Sequence, residues 1–561
     1  MRRKHPFWLL SLFLAFTLFA AACGGDNDGG GQTTDTTVAD EAVPKGGTVT
    51  LGWEQEPDCV DWIGSCGGST YGAWAALRQT TPRAYDFVEE GGKLVYKPSI
   101  LLEGEAKLET EPKQKVTYTI SDKAVWSDGT PITSKDFKYL WDQIVNGEDI
   151  YDTTGYANIE SVDDSDPKVA VVTFKTVFAD WKSLFGGGYG LYPAHVLTGK
   201  DRSAETANGY KWSGGPWTIE SWNKGSDLTL VPNPKYWGKK PNLDKVVFKF
   251  IPDTAAEFQA FKAGQVDAIA PQPQPDAIDQ VKAGLSGKKS KFQSDTVNLE
   301  AFWFNNSKAP FNDAKVRQAV SYAIDRDAVV KRLFGPLGVN SAMQTMVPLV
   351  AKPFATTAWS KYKRDLTKVS SLLEGAGYTK GADGIYAKGG QKLTFEIKTT
   401  TGNARRALTL QIVQSQLKEA GIDMTISTHK SGDLFGSQLP KGDYQAALYA
   451  ATLTALAPST CNQFCAKNIP ESSGKGSGQN WSRANVPGAE AGLKAMEEEL
   501  DVDAQIAGNR KAEPAMADAA VVLPLDPLPN VFLWSDKLIG PKSTNGIDGP
   551  LWNLEEWGIR A

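Results

Sequence analysis

Histidine is almost missing from this chain: 561 residues hold His5, His195 and His429 and no others. Imidazole is the commonest general base and metal ligand near neutral pH, so triad chemistry and histidine-rich metal sites have little to draw on. His195 stands in Tyr192-Pro193-Ala194-His195, a turn into a short helix, and His429 trails a strand into Ser431-Gly432-Asp433. Neither has a nucleophile context, and both read as structural. A G-x-S-x-G elbow, an HExxH pair, a Walker A loop and a GxGxxG opening a helix are also lacking. Paired carboxylates carry no weight alone, because 65 acidic residues offer many accidental pairs. Basic excess is absent too. The formal charge is −5 and becomes −8 once Arg2, Arg3 and Lys4 are set aside, which argues against a nucleic-acid partner. Long apolar runs are limited to Phe7–Ala22, sixteen residues, short of the ~20 that span a bilayer core.

That single run is informative where it stands. It follows a basic start and ends in Ala20-Ala21-Ala22, the layout of a secretory signal over 1–22. Cys23 comes next, before Gly24-Gly25, and the junction resembles the lipobox of bacterial lipoproteins, with Ala20 where leucine is usual. The resemblance implies cleavage before Cys23 and diacylation of its thiol; an ordinary signal peptide is the alternative. Residues 23–44 are glycine, threonine and acid with almost nothing to bury, and read as a flexible tether.

The other four cysteines form two close pairs, Cys59/Cys66 and Cys461/Cys465. One lipid-bearing thiol plus two disulfides accounts for the odd total of five in an oxidising compartment. A metal site is the rival reading, weak without partner histidines.

Beyond the tether, strands and helices alternate in a body too long for one core. Residues 47–52 read as a strand, and Lys115–Ile120 alternates like a half-buried one. Thr133 with Asp136 approximates a capping box for a helix over 134–146. Val316, Ala319, Val320, Ala323 and Ile324 form one helical stripe, and Leu410, Val413, Leu417 and Ala420 a second, closed by Gly421 before the strand Ile422, Met424, Ile426. A helix over 493–505 presents Glu497-Glu498-Glu499 as a solvated acidic face. Tryptophan is abundant at 17 residues. Trp53 follows a strand and Trp303 lies within one, Leu299–Phe304; strand ends are where open α/β lobes hold ligands.

Several segments, in order, resemble the family 5 extracellular solute-binding proteins of ABC importers, the dipeptide-, oligopeptide- and nickel-binding group. They are Ala124–Thr133, Tyr192–Leu197, Ser213-Gly214-Gly215-Pro216-Trp217, Asn233–Gly238, Ala263–Asp267, Phe311–Ala319, Ala323-Ile324-Asp325-Arg326, and Ala376-Gly377-Tyr378 with Gly421-Ile422. The resemblance implies a two-lobed α/β fold of the type II periplasmic-binding-protein class. Lobe one takes 45–297, with an extra subdomain inserted at about 72–212; lobe two takes 298–520; 521–561 return to lobe one, so that the crossings fall near 297 and 520. Asp128-Gly129 then sets a turn, and Arg317 and Asp325 cap and brace helices. Peptide-binding relatives place a Gly-Trp and then an aspartate for the ligand's α-amino group after a strand of lobe two. Here Ala450-Ala451 and Thr454 stand in those places, so recognition of a free amino terminus at that position is in doubt. The expected contacts are Trp53 and Glu54 from lobe one and Trp303, Tyr449, Thr452 and Thr454 from lobe two, with Glu54 the countercharge for a cationic group and the two cysteine loops flanking the cleft. The expected partners are a peptide or peptide-like ligand, an ABC permease with its ATPase, and a membrane through the lipid; the protein is expected to be a monomer without cofactor or metal. Variants of the reading are a non-peptide ligand such as an oligosaccharide, a ligand-sensing module, and a secreted hydrolase.

Overall fold

A computed structural model describes residues 43–561 except 69–77, 91–92, 187–188, 294, 453–459, 472–477, 543–545 and 547–548. The signal run, Cys23 and nearly all of the tether lie outside the described residues.

Two mixed sheets carry the body. The first has seven strands, with Thr48–Trp53 at its centre, parallel to Lys245–Phe250 on one side and to Ala268–Ile269 on the other. Val49, Leu51 and Trp53 alternate into the core. Gly52 points the other way, where a Cβ would stand 2.8 Å from Ile269 and 3.2 Å from the Glu257 side chain. The outer strands are Lys288–Gln293, Asn530–Ser535, Asp227–Pro232 and Trp217–Asn223. The second sheet runs Asp423–His429, Thr394–Thr400, Ala446–Thr452, Asn298–Phe304, Val522–Pro527. Leu299–Phe304 is buried residue after residue, as a strand covered on both faces must be. Helices Ala314–Ala323 and Ala404–Glu419 bury the two expected stripes against it, and Gly421 reverses the chain in the left-handed region at φ 81°.

Between the first strand and the rest of its sheet sits an inserted region. It comprises the hairpin Tyr85–Glu90/Lys93–Pro98, a four-stranded antiparallel sheet (Lys107–Glu109, Lys115–Thr119, Val169–Phe174, Ile159–Asp166) and the helix Ser134–Asn146. Asp136 accepts the Thr133 N–H at 2.8 Å. The insert shares one continuous apolar core with the first sheet, so it extends that lobe.

Three sequence expectations are corrected. The chain does not leave the second sheet near 520: Val522–Pro527 pairs antiparallel with Asn298–Phe304, and the crossing to Asn530–Ser535 is Leu528-Pro529. The run of apolar residues and prolines from 522 to 535 is divided between two sheets. The helix over 493–505 is in fact two, Pro487–Glu498 and Val502–Asp518, because Asp501 starts the second by accepting the Ala504 N–H at 2.8 Å. Glu497 is also not solvated; its side chain is 8% exposed and takes Lys467 at 2.8 Å.

The insert is tied to the Cys59–Cys66 disulfide loop by a buried ion pair. Arg202 donates from Nε to Asp61 at 2.8 Å, and from Nη2 to the Glu148 and Asp149 carbonyls at 3.0 and 3.2 Å. Tyr192 OH adds a bond to Asp61 at 3.1 Å. Burial still pushes the Asp61 carboxyl above its usual range. Removing one partner strands the other charge, which costs about 3–5 kcal/mol. Arg202→Met should lower unfolding stability by that amount in a denaturant titration followed by circular dichroism; a loss below about 1 kcal/mol would mean that the pair behaves like a surface one.

Candidate functional site

Strand ends of both sheets and the Leu528-Pro529 crossing line a cavity of about 280 Å³. Trp53, Glu54, Trp303, Tyr449 and Thr452 all line it; Thr454 lies outside the described residues. The sequence did not single out Tyr151, Gln272, Arg406, Phe435 and Trp481, which line it as well.

One end is aromatic. Trp303 is only 2% exposed and stacks on Tyr449, centroids 4.7 Å apart and planes at 7°. Its Nε1 donates to the Tyr449 carbonyl at 3.0 Å, so it serves mainly as a floor. Phe435 meets Tyr449 edge-on at 5.5 Å, and Trp481 lies 6.0 Å from the same ring. Tyr151 reaches over from the inserted region to Trp481, with centroids 6.2 Å apart. Flat rings at these spacings favour apolar or aromatic groups held by area and edge-to-face contact.

Charge gathers at the other end. Glu300, wholly buried on the strand Asn298–Phe304, takes Arg405 Nη2 at 2.8 Å and Arg406 Nε at 2.7 Å. Burial alone would raise its carboxyl, but the two guanidiniums outweigh it and hold it below the usual range. Arg406 also donates to Thr400 Oγ1 at 2.7 Å. Arg405 reaches the first lobe, donating to Gln272 Oε1 at 2.9 Å, and Asn403 joins it on that oxygen at 2.5 Å. The Gln272 N–H in turn holds Glu54 at 2.8 Å. Burial lifts the Glu54 carboxyl to about 7, against the pull of that N–H and of both arginines. Glu257, behind Glu54, and Asp526, opposite Glu300 in the sheet register, have no hydrogen-bond partner among the described residues. Burial pushes Asp526 to about 8 and Glu257 well above the usual carboxylate range. Glu54, Glu300 and Asp526 thus share two arginines, and Glu257 faces Glu54.

A sequence signal for the arginines existed. Asn403 caps the helix Ala404–Glu419, which places Arg405 and Arg406 in its first turn, where the helix dipole disfavours cations. Such a placement calls for buried acids nearby.

Cys59–Cys66 and Cys461–Cys465 are disulfide-bonded. Among the described residues no cysteine lines the cavity; Gln463, inside the second loop, does. The metal alternative for Cys461/Cys465 fails on this bonding, and Glu497 beside them is engaged by Lys467. His195 bonds Asp128 at 2.8 Å, and His429 bonds Ser427 at 2.5 Å and Gln438 at 3.1 Å; both are away from the cavity wall. No helix among the described residues is long and apolar enough to cross a membrane.

Residues 103–467 match the family model of bacterial extracellular solute-binding proteins, family 5. The probable D,D-dipeptide-binding periplasmic protein DdpA of Escherichia coli is 26% identical over 348 residues, 60% of this chain and 64% of that protein. The oligopeptide-binding protein OppA of Mycobacterium bovis is 29% identical over 314 residues, 54% of this chain and 51% of that protein. The match thus spans half to two thirds of these relatives. Among solved structures, the periplasmic EDTA-binding protein EppA superimposes with a TM-score of 0.80 at 25% identity, covering 92% of this chain and 97% of its own. The oligopeptide-binding protein AppA of Bacillus subtilis, solved with a nonapeptide, gives 0.81 at 21%, covering 92% and 100%. These neighbours share the two-lobed type II binding-protein fold.

The buried acids make stability depend on pH. A carboxyl that titrates near 8 when folded and near 4 when unfolded keeps its proton longer in the folded chain. Stability therefore falls as pH rises through that window. Asp526→Asn keeps the shape and removes the titration. Its melting temperature should exceed that of wild type by a margin that grows from pH 5 to pH 9, as read by scanning calorimetry; a constant margin would contradict the assignment.

Proposed function

Because the chain belongs to the family 5 bacterial extracellular solute-binding proteins, we propose that it captures short peptides or peptide-like solutes between its lobes and delivers them to an ABC permease with its ATPase. The family is one of binding proteins, not of enzymes. The observation that carries the ligand class is the two-ended cavity: aromatic rings at one end, and Glu54 with amide groups at the other. Arg406 is already matched by Glu300, whereas Glu54 is held by a single backbone N–H. The cavity therefore suits a solute with an ammonium group and an apolar or aromatic body. At about 280 Å³ it lies at the small end of ligand pockets, ~300–1,000 Å³, which favours a few residues over a long peptide. The chain passes from one sheet to the other between Lys288–Gln293 and Asn298–Phe304 and again between Val522–Pro527 and Asn530–Ser535, and this double crossing supports hinge closure. The N-terminal run and Cys23 support lipid anchoring on the outer face of the cell membrane, with the body acting as a monomer. EppA, named for EDTA binding, favours a second reading in which the same cleft holds a non-peptide solute.

Tryptophan fluorescence and thermal midpoint, followed against di- to pentapeptides, oligosaccharides and free amino acids, test the proposal. Peptides should give a saturable shift, weakened about tenfold or more by amino-terminal acetylation or by Glu54→Gln, the scale of a lost bond to a charged group. Affinity for the amine should rise from pH 6 to pH 8, because Glu54 ionises near 7. A response to sugars alone would keep the fold and discard the peptide; equal affinity for acetylated peptides would discard the role of Glu54.

A further inference from the structure

Beside the cavity, one carboxylate joins two segments that are far apart in the chain. Asp152 follows Tyr151 in the inserted region. Its Oδ1 is oriented by Thr154, whose N–H and hydroxyl donate to it at 2.9 and 2.7 Å. Its Oδ2 accepts from Asn462 Nδ2 at 2.9 Å, with Gln479 Nε2 at 3.4 Å. Both amides belong to the second lobe, and Gln479 lines the cavity.

Each half of this contact is fixed by its own disulfide loop. On the first side, Tyr151 N–H donates to the Ile63 carbonyl at 2.9 Å, inside the Cys59–Cys66 loop. Ser65 of that loop also bonds Asp149, and Arg202 holds the Glu148 and Asp149 carbonyls. On the second side, Asn462 sits within the Cys461–Cys465 turn. Its Oδ1 accepts the Gln479 N–H at 3.0 Å, while Asn468 and Asn480 hold the Cys461 and Cys465 carbonyls at 2.8 and 3.0 Å. Acceptor and donor are thus both set in place before they meet, which lowers the entropy lost when they join. A hydrogen bond to a carboxylate is among the stronger kinds, and this one bridges the two bodies that a hinge would separate.

The geometry points to Asp152 as a latch: a positioning residue that biases the cleft toward its closed form through Asn462, independently of which solute is bound. Other contacts also join the insert to the second lobe, notably Phe87 and Leu94 against Phe354 and Met496, and Ala179 N–H on the Glu497 carbonyl at 2.8 Å. The test must therefore separate a latch from a merely structural contact.

Small-angle X-ray scattering on the protein freed of copurified solute by mild denaturant and dialysis, disulfides intact, reads closure without any ligand. Wild type should contain a compact population that Asp152→Ala and Asn462→Ala each reduce about tenfold, with a larger radius of gyration. The double variant should open no further than either single one. Asp152→Asn offers one accepting oxygen where Thr154 and Asn462 use two, so it should open the cleft as the alanine variant does, and because it keeps the side-chain shape it guards against misfolding of that variant. Reduction of the disulfides should enlarge the radius in wild type and not in Asp152→Ala. Equal scattering from wild type, Asp152→Ala and Asn462→Ala overturns the latch, as does additive opening in the double variant. Because no solute is added, a failure of the peptide reading leaves this measurement unaffected.

Discussion

Glu300 lies on the strand between Ala446–Thr452 and Val522–Pro527 of the second sheet with no exposed surface, and a lone carboxylate there would cost several kcal/mol. Arg405 and Arg406 remove that penalty, and in doing so they fix the start of the helix Ala404–Glu419 against the strand Asn298–Phe304. The consequence extends further, because Arg405 also binds Gln272 of the first lobe and Gln272 holds Glu54. One buried charge balance thus connects one sheet to the acid that faces the cavity from the other. Such clusters are weak evidence for stability, since well-packed apolar residues can do as well. Their effect here is positional: Glu300, Gln272 and Glu54 are each held by a partner inside the protein.

The cavity inherits its polarity from this arrangement. Charge is confined to the end where Glu54, Gln272 and Arg406 meet. The stacked Trp303 and Tyr449, with Phe435, Trp481 and Tyr151, build the other end from area alone. The disulfides contribute in the same positional way. Loops this small stabilise by roughly 2–2.5 kcal/mol each in the chain-entropy model, modest for a body of this size. They hold Tyr151 and Asp152 on one side and Asn462 and Gln463 on the other, where a shift of an ångström would change the wall of the cleft.

Much of the scaffold was legible in the residues. The helix Ser134–Asn146 with its Thr133/Asp136 box, the stripe through Val316–Ile324, and the helix–Gly421–strand unit follow from periodicity and capping, which act within a few residues. Glu54, Trp53 and Tyr449 could be nominated because each sits in or just after a strand of recognisable pattern. Tyr151 and Trp481 could not be, because both lie in irregular segments with no period, and their meeting depends on how the insert packs. Arg405 and Arg406 carried a local warning in their helix position, but the acids that answer it are 105 residues or more away in the chain. The break between 498 and 502 was missed because helical propensity continues across it, while Asp501 caps a new start.

By itself the sequence determined the α/β alternation and the family, because motifs and short-range periodicity report these directly. Only the tertiary structure decided that Leu528-Pro529 is the second crossing, that Glu497 is covered, and that Asp152 faces Asn462. Each of these depends on pairing between segments tens to hundreds of residues apart, where burial and hydrogen-bond satisfaction are settled by the assembled packing and leave no local trace in the chain.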